Sequence, residues 1–236
     1  MDDKFFPILF KLADKKSDIS QKVFICLNLT ILILLILSSL SSIYSGESKA
    51  PDSLLMFCTG CLVLSTLLNL YVFVFKPEKS WYEGRAIAES VKTLTWKFIT
   101  GTKPFALSLS LEISQNLFNE NLKKIIGQKK DFFILIGKKY PNENMISDEM
   151  IKMRLSDFET RKNIYLSSRV QDQINWYSKN ALKNSKYKTT AFVLMIAFQL
   201  IGITFFIFEF NFKSNLSYTS LAITLTSVLL ALQVKF

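Results

Sequence analysis

The chain has 236 residues, 50% hydrophobic and 14% aromatic, with 29 Lys and Arg against 19 Asp and Glu, a net charge of +10 and no histidine. The missing histidine excludes Ser-His-Asp and Cys-His triads, HExxH zinc sites and imidazole bases; the seven glycines, all scattered singly, exclude a Walker loop and a dinucleotide fingerprint. Three cysteines make neither a disulfide scaffold nor a four-cysteine zinc site, and a mean hydropathy of +0.26 beside that charge puts apolar and charged residues in separate stretches.

Residues 1–22 carry five lysines and no arginine, and read as a cytoplasmic N-terminal segment. Val23 to Ile43 then holds no Asp, Glu, Lys or Arg, and the same is true of Ser53 to Phe75. Each run has about 20 residues, the length of helix that crosses a bilayer core of about 30 Å. The two runs make a first transmembrane hairpin, residues 23–75. A cleaved signal peptide is a competing reading of the first run, which ends in Ser38, Ser39, Ser41 and Ser42. The segment before it is too long and mixed for that, and the run itself too long. Cys58 and Cys61 form a C-x-x-C inside the second run. A redox thiolate needs a partly exposed electropositive site, so two small packing residues are the expectation.

Residues 76–188 hold 21 basic and 12 acidic residues, nine of the ten net charges, and read as a helical cytoplasmic module. Pro77 ends one helix and can start the next, and Gly101 and Pro104 mark the far end of that second helix. Within it Ile87, Val91, Leu94 and Phe98 recur at helical spacing and predict a core face. Trp81, Arg85, Glu89, Lys92 and Trp96 form a second stripe nearly opposite. This stripe reads either as an amphipathic interface or as an exposed ladder of i,i+3 and i,i+4 pairs, with the two tryptophans favouring the interface. Phe105 to Ser114 alternates like a strand, yet Leu111, Ser114, Phe118, Leu122 and Ile125 continue at helical spacing. A helix over about 110–126 with a short extended lead is expected, while Asp131 to Ile136 reads equally as a helical turn or a strand. Ser147, followed by Asp148 and Glu149, is a helix start. From there to Gly202 no Pro or Gly intervenes, which permits one continuous helix from Asp148 through the third span. On it Val170, Ile174, Tyr177 and Ala181 form a stripe.

Thr189 to Phe208 and Leu216 to Val234 are again free of charged residues and make a second transmembrane hairpin, residues 189–236. The fold class expected is therefore an all-α integral membrane protein, with four transmembrane helices as two hairpins and a helical module between them. The two hairpin loops carry one lysine each, Lys49 and Lys213. Positive-inside counting then puts both termini and the module in the cytoplasm, at the inner (plasma) membrane. Lys179, Lys183, Lys186 and Lys188, just ahead of the third span, set topology and offer an anionic-lipid contact. Asn28, Asn69, Gln199, Ser220, Thr224 and Ser227 are polar groups inside the spans, read either as pore lining or as helix–helix glue.

Trp81-Tyr-Glu-Gly-Arg85-Ala-Ile-Ala-Glu89-Ser-Val-Lys92, then Trp96 and a Gly-x-x-Pro-Phe at Gly101, Pro104 and Phe105, resemble the W-x3-R-x-x-A-E-x-x-K…W…PF signature of the SLATT superfamily, the SMODS- and SLOG-associating two-transmembrane effector domains. Tyr165, Arg169, Asp172-Gln173, Trp176-Tyr177 and Ala181 resemble the helix that precedes the second membrane hairpin in these proteins. The resemblance runs from about residue 20 to 236. It implies a membrane effector of a prokaryotic conflict system, activated by a nucleotide-synthase or sensor partner encoded nearby and acting through a pore or membrane perturbation. Relatives usually continue past the last span with another cytoplasmic helix. This chain stops at Phe236, so either truncation or a missing helix is expected.

Several function classes follow. A gated pore would have a neutral lining and would need a homo-oligomer in the bilayer, since four spans are few for one wide pore. The alternative is a membrane-anchored sensor or scaffold whose module binds a partner. In either case the expected cytoplasmic interface comprises Trp81, Arg85, Glu89, Lys92, Trp96, Arg169, Asp172, Gln173, Trp176 and Tyr177. A coupled transporter would carry intramembrane acids or broken helices, and none is visible. Glu89, Glu112 and Asp172 lack catalytic spacing, so no enzyme activity, cofactor or metal is expected. The +10 charge includes no recognisable nucleic-acid module, so nucleic acid is not an expected partner.

Overall fold

The computed structural model describes residues 5–43, 51–127, 145–212 and 222–228. Among them the secondary structure is helical, with no strand. The helices are α1 Ile8–Ser38, α2 Asp52–Phe75, α3 Pro77–Thr100, α4 Leu111–Gly127, α5 Asp148–Arg154, α6 Phe158–Tyr165 and α7 Asp172–Phe212. A short 3-10 turn, Ser39–Ile43, follows α1, and a π turn, Leu166–Gln171, joins α6 to α7. Residues 222–228 form a last short helical segment, α8. Contacts divide the chain into two units. One comprises Met1–Phe24 and Lys76–Asn175, the other Ile25–Phe75 and Trp176–Phe236.

The first unit is built around α3. Lys76 is left-handed at φ 44° and Pro77 opens the helix after it, where its missing N–H costs nothing. Gly101 at φ +69° closes it, a left-handed position that favours glycine. Thr102 N–H reaches Lys97 O at 3.2 Å and Gly101 N–H reaches Phe98 O at 3.4 Å, the bond pair of a Schellman cap. The expected core face holds: Ile87, Val91, Leu94 and Phe98 are all buried. Facing them are Phe118 and Leu122 of α4, Met150 of α5, Leu9, Phe10 and Ala13 at the start of α1, and Phe6 just ahead of it. The N-terminal segment is thus a core helix as well as a charged flank. Its buried positions, Leu9, Ala13, Ser17 and Ser20, recur every three or four residues. Helices α1 and α3 approach closely at small residues. A Cβ on Gly84 would lie 3.0 Å from the Ala13 carbonyl oxygen and 3.0 Å from Ser17 Cβ.

Helix α4 begins where its spacing predicts, with Ser110 Oγ accepting from Ile113 N–H at 3.3 Å. The lead into it is not extended. Two tight turns, Phe105 N–H to Thr102 O and Leu109 N–H to Ala106 O, carry the chain there. Ser147 caps α5 through Met150 N–H as expected. The single helix permitted from Asp148 is interrupted at Leu155–Asp157. Asp157 is a better start than an interior residue: its Oδ1 accepts from Thr160 N–H at 2.9 Å, so local capping wins over propagation. Helix then runs without a break from Phe158 to Phe212. The segment 131–136, left open as helix or strand, lies outside the described residues.

Among the described residues three helical stretches, Ile8–Ser41, Asp52–Thr100 and Phe158–Phe208, are long and apolar enough to cross a membrane. Their apolar parts are not a protein core. Met56 is 78% exposed and Phe73 71% exposed, which for an uncharged helix of this length fits lipid rather than water. In the second unit Cys58 and Cys61 are buried, and Cys58 Sγ donates to Leu37 O at 3.4 Å, an arrangement of packing residues. Of the fourth run, Leu216 to Val234, only residues 222–228 are described, and they are helical. Gly202 of α7 lets this segment close in, since a Cβ there would lie 3.0 Å from Ala222 Cβ. Small residues serve such close helix approaches in membranes.

Candidate functional site

The second stripe of α3 meets other parts of the same chain. Trp81, at its start, has Phe24 of α1 at 6.2 Å between ring centroids, and its carbonyl accepts from Ser17 Oγ at 3.1 Å. One turn on, Arg85 Nη1 lies 3.2 Å from Asp14 Oδ1, and Arg85 Nη2 lies 3.1 Å from Glu89 Oε1. The other oxygen of Glu89 is 3.7 Å from Arg169 Nη1 in the π turn, an ion pair without a hydrogen bond. Asp14, Arg85, Glu89 and Arg169 therefore form an alternating chain of charge across α1, α3 and the π turn. Lys92 is half-buried beside it. Burial raises the Asp14 carboxyl above its ordinary value, with Asp18 adding to the rise; Arg85 and Lys92 pull it down without cancelling it.

Trp96 ends the stripe and is buried at 3% exposure. Tyr165, the last residue of α6, stands edge-on to it at 5.5 Å, an aromatic geometry favoured by the ring quadrupoles. Tyr165 and Arg169 thus join Trp96 and Glu89, although some 70–80 residues separate the two pairs in sequence. The other residues of that segment do not join them. Asp172, Trp176 and Tyr177 are exposed and Gln173 is half-buried. Trp176 and Tyr177 stand edge-on to each other at 4.9 Å.

A second cluster was not legible in the sequence. Arg154, at the end of α5, is 4% exposed. Its guanidinium donates to Phe98 O at 2.7 Å, Phe105 O at 2.9 Å, Ala106 O at 3.2 Å and Ser114 Oγ at 2.9 Å. It also lies 5.1 Å from the centroid of the Phe98 ring. The Gly-x-x-Pro-Phe loop is in effect a carbonyl-lined receptor for this arginine, placed where the α3 dipole is negative. Arg161 donates to the carbonyls of Ser156 and Arg154 next door. Burial, and then the Arg161 charge, lower the Arg154 pKa.

Inside the spans, polar groups bond to their own helices. Asn69 Nδ2 donates to Ser65 O at 3.0 Å and Ser227 Oγ to Ile223 O at 2.9 Å, as backbone-rich, water-poor surroundings require. Gln199 and Ser227 line a cavity of about 480 Å³ between α7 and α8. Asn28 and Thr224 are partly buried and have partners of their own. Ser220 lies outside the described residues.

Residues 7–162 match the family model of SMODS and SLOG-associating 2TM effector domain 3, and residues 165–234 match that of SMODS and SLOG-associating 2TM effector domain 1. The chain belongs to the SLATT superfamily. The first match alone takes in most of the chain, and the two meet just before the π turn. SLATT domains are two-transmembrane effector domains rather than a known enzyme family. Comparison with curated proteins and with solved structures returns no match. Of the residues that carry the SLATT resemblance, Arg85, Glu89 and Trp96 meet Tyr165 or Arg169 directly or through one another in the first unit, while Asp172, Trp176, Tyr177 and Ala181 are exposed.

Proposed function

We propose that this SLATT protein is a membrane effector of a prokaryotic conflict system, a homo-oligomer that opens a pore or perturbs the bilayer when a nucleotide signal or a sensor partner engages its cytoplasmic unit. The observation that carries the reading is the pairing of two features in one chain: uncharged helices with exposed apolar surfaces, and a family signature whose charged residues are interlocked. Its topology is four spans in two hairpins, with both termini and residues 76–188 in the cytoplasm at the inner membrane. The concentration of basic residues in 76–188 supports that orientation. One protomer has too few spans for a wide channel, so copies must assemble. Exposed Trp176 and Tyr177 offer surface for that assembly. Lys179, Lys183, Lys186 and Lys188 favour an anionic leaflet.

The test is dye release from liposomes containing the purified protein, with anionic lipid, across a range of protein densities. Leakage that rises steeply with density supports an oligomeric pore. Sealed vesicles at every density, with and without added nucleotides, would sink the pore and leave a membrane-anchored sensor.

A further inference from the structure

Thr189 to Phe208 is an uncharged run, and Gln199 stands at its middle, ten residues from one end and nine from the other. At about 1.5 Å per residue that is the midplane of the span, the point furthest from water on either side. Of the three amide side chains in the described spans, Asn69 bonds to its own helix and Asn28 has a partner of its own. Gln199 is exposed and makes no hydrogen bond among the described residues. A carboxamide carries two donors and an acceptor, and hydrocarbon meets none of them. Phe192, Ile196, Ile203 and Phe206 share its face, stepping four, three, four and three through it, and all are exposed. This is the spacing of a two-helix seam with one polar residue at its centre. Gln199, Ile203 and Phe206 also line the cavity of about 480 Å³ beside α8. On the α8 wall, the hydroxyls of Thr226 and Ser227 are spent on carbonyls of their own helix, at 2.9 Å each.

We propose that this face of α7 is where two copies of the chain meet inside the bilayer, with Gln199 of each copy bonded to Gln199 of the other. A carboxamide is self-complementary. Across a twofold axis each N–H donates to the other's carbonyl, so one residue type meets the need of both copies. The apolar residues before and after Gln199 pack as seam contacts, and the open cavity beside them leaves room for the second helix. A lipid tail would cover the same apolar wall and leave the carboxamide unmet. The paired amides fix register more than they add strength, as a lone polar residue does in a coiled-coil seam. The inference rests on the reading of this chain as a homo-oligomer and names the surface through which copies join within the spans.

The test measures self-association of the full-length protein in detergent micelles by sedimentation equilibrium, and cross-linking in liposomes. The wild type should associate reversibly. Gln199→Leu should associate about tenfold more weakly with unchanged helix content, since leucine suits a lipid-facing site. Gln199→Asn keeps the carboxamide and should associate more tightly than the leucine variant. In a chain whose three cysteines are replaced by alanine, Ile203→Cys, one turn along the seam, should form disulfide-linked dimers on oxidation. Ile201→Cys, on the far side of the helix, should not. The proposal is overturned if the wild type stays monomeric, if Gln199→Leu associates as tightly as the wild type, if asparagine does no better than leucine, or if the two cysteines cross-link alike. Unchanged association in the leucine variant is the result expected if a lipid tail or pore water covers the carboxamide. Should that variant fail to fold, the cross-linking, done with Gln199 in place, decides alone. Liposome leakage separates this inference from the pore. Association that depends on Gln199 without leakage removes the pore and leaves the seam; leakage with association indifferent to Gln199 does the opposite.

Discussion

Nη1 of Arg154 donates to the carbonyl of Phe98 at 2.7 Å, so a side chain from α5 closes the C-terminal turn of α3. The same guanidinium holds the loop after α3 and the first turn of α4. Arg154→Ala takes its donor from Phe105 O and Ser114 Oγ, leaves Phe98 O and Ala106 O with one backbone donor each, and opens a cavity; unmet buried acceptors cost about 1–3 kcal/mol each. We expect a loss of about 3 kcal/mol or more. Arg154→Met should cost less, because it fills volume and removes a desolvated charge. Melting temperatures in detergent would decide. A loss for Met equal to that for Ala would show that charge, not volume, governs the site.

Gly84 sets two effects against each other. Alanine improves helix propensity by about 1 kcal/mol, but its Cβ would meet the Ala13 carbonyl at 3.0 Å. That neighbour is backbone and cannot swing aside, and overpacking costs about 1–3 kcal/mol. Gly84→Ala should therefore lower the melting temperature, and Gly84→Leu should lower it much further. An unchanged or raised melting temperature in Gly84→Ala would show that α1 and α3 have room to separate.

Trp96→Ala should destabilise the first unit by about 3–5 kcal/mol, the range for large-to-small aromatic core changes. Its effect on oligomer mass should follow from unfolding only. Trp96 is covered by Tyr165 of the same chain, so Trp96→Phe should keep both fold and mass. Detergent-corrected light scattering on the folded Phe variant reads this directly. A lower mass in that variant would put Trp96 at a contact between copies.

The chain of charge from Asp14 to Arg169 is partly exposed throughout. A double-mutant cycle on Arg85 and Glu89 should give a coupling of about 0.5 kcal/mol, falling in 1 M salt. A coupling above about 2 kcal/mol would mark a desolvated network instead.

Asp157 predicts a pH effect. The Thr160 side chain, and then its backbone N–H, hold the Asp157 carboxyl below its ordinary value. A carboxyl with a lowered folded pKa stabilises above its unfolded pKa, and that contribution is lost as pH falls through the folded value. Asn caps well without titrating. The wild type should therefore lose more melting temperature between neutral and strongly acid pH than Asp157→Asn does. Asp14 works in the opposite sense: its raised carboxyl favours the fold below its unfolded pKa, and that contribution is lost as pH rises through the folded value. Parallel melting curves for wild type and Asp157→Asn would count against the cap.

Both ends of α3 and its core face were legible, because Pro77, Gly101 and a 3.6-residue period act locally. Ser147 and Ser110 announced their helices for the same reason. The core role of residues 6–20 was written in the sequence, as buried positions three or four apart, but lysines between them drew the reading toward topology. Asp157 was hidden by a rule applied too broadly: absence of Pro and Gly permits a helix but does not force one. Arg154 left no trace, since nothing local distinguishes a buried basic residue from the exposed Lys152 nearby. Its acceptors lie 40 to 56 residues upstream, where only the folded loop collects them. The pairing of Trp96 with Tyr165 is equally non-local.

The π turn has a geometric consequence. A turn closed by i→i+5 bonds takes up one residue more than an α turn. The helix after Gln171 is therefore phased about 100° behind the continuation of α6. A stripe drawn at one uniform period through this stretch changes sides midway: Val170 is half-buried, while Ile174 is 51% exposed. The surplus residue also sits beside the seam where the two family matches meet. One residue gained or lost there shifts the phase of the turn that directly follows by slightly more than a quarter revolution.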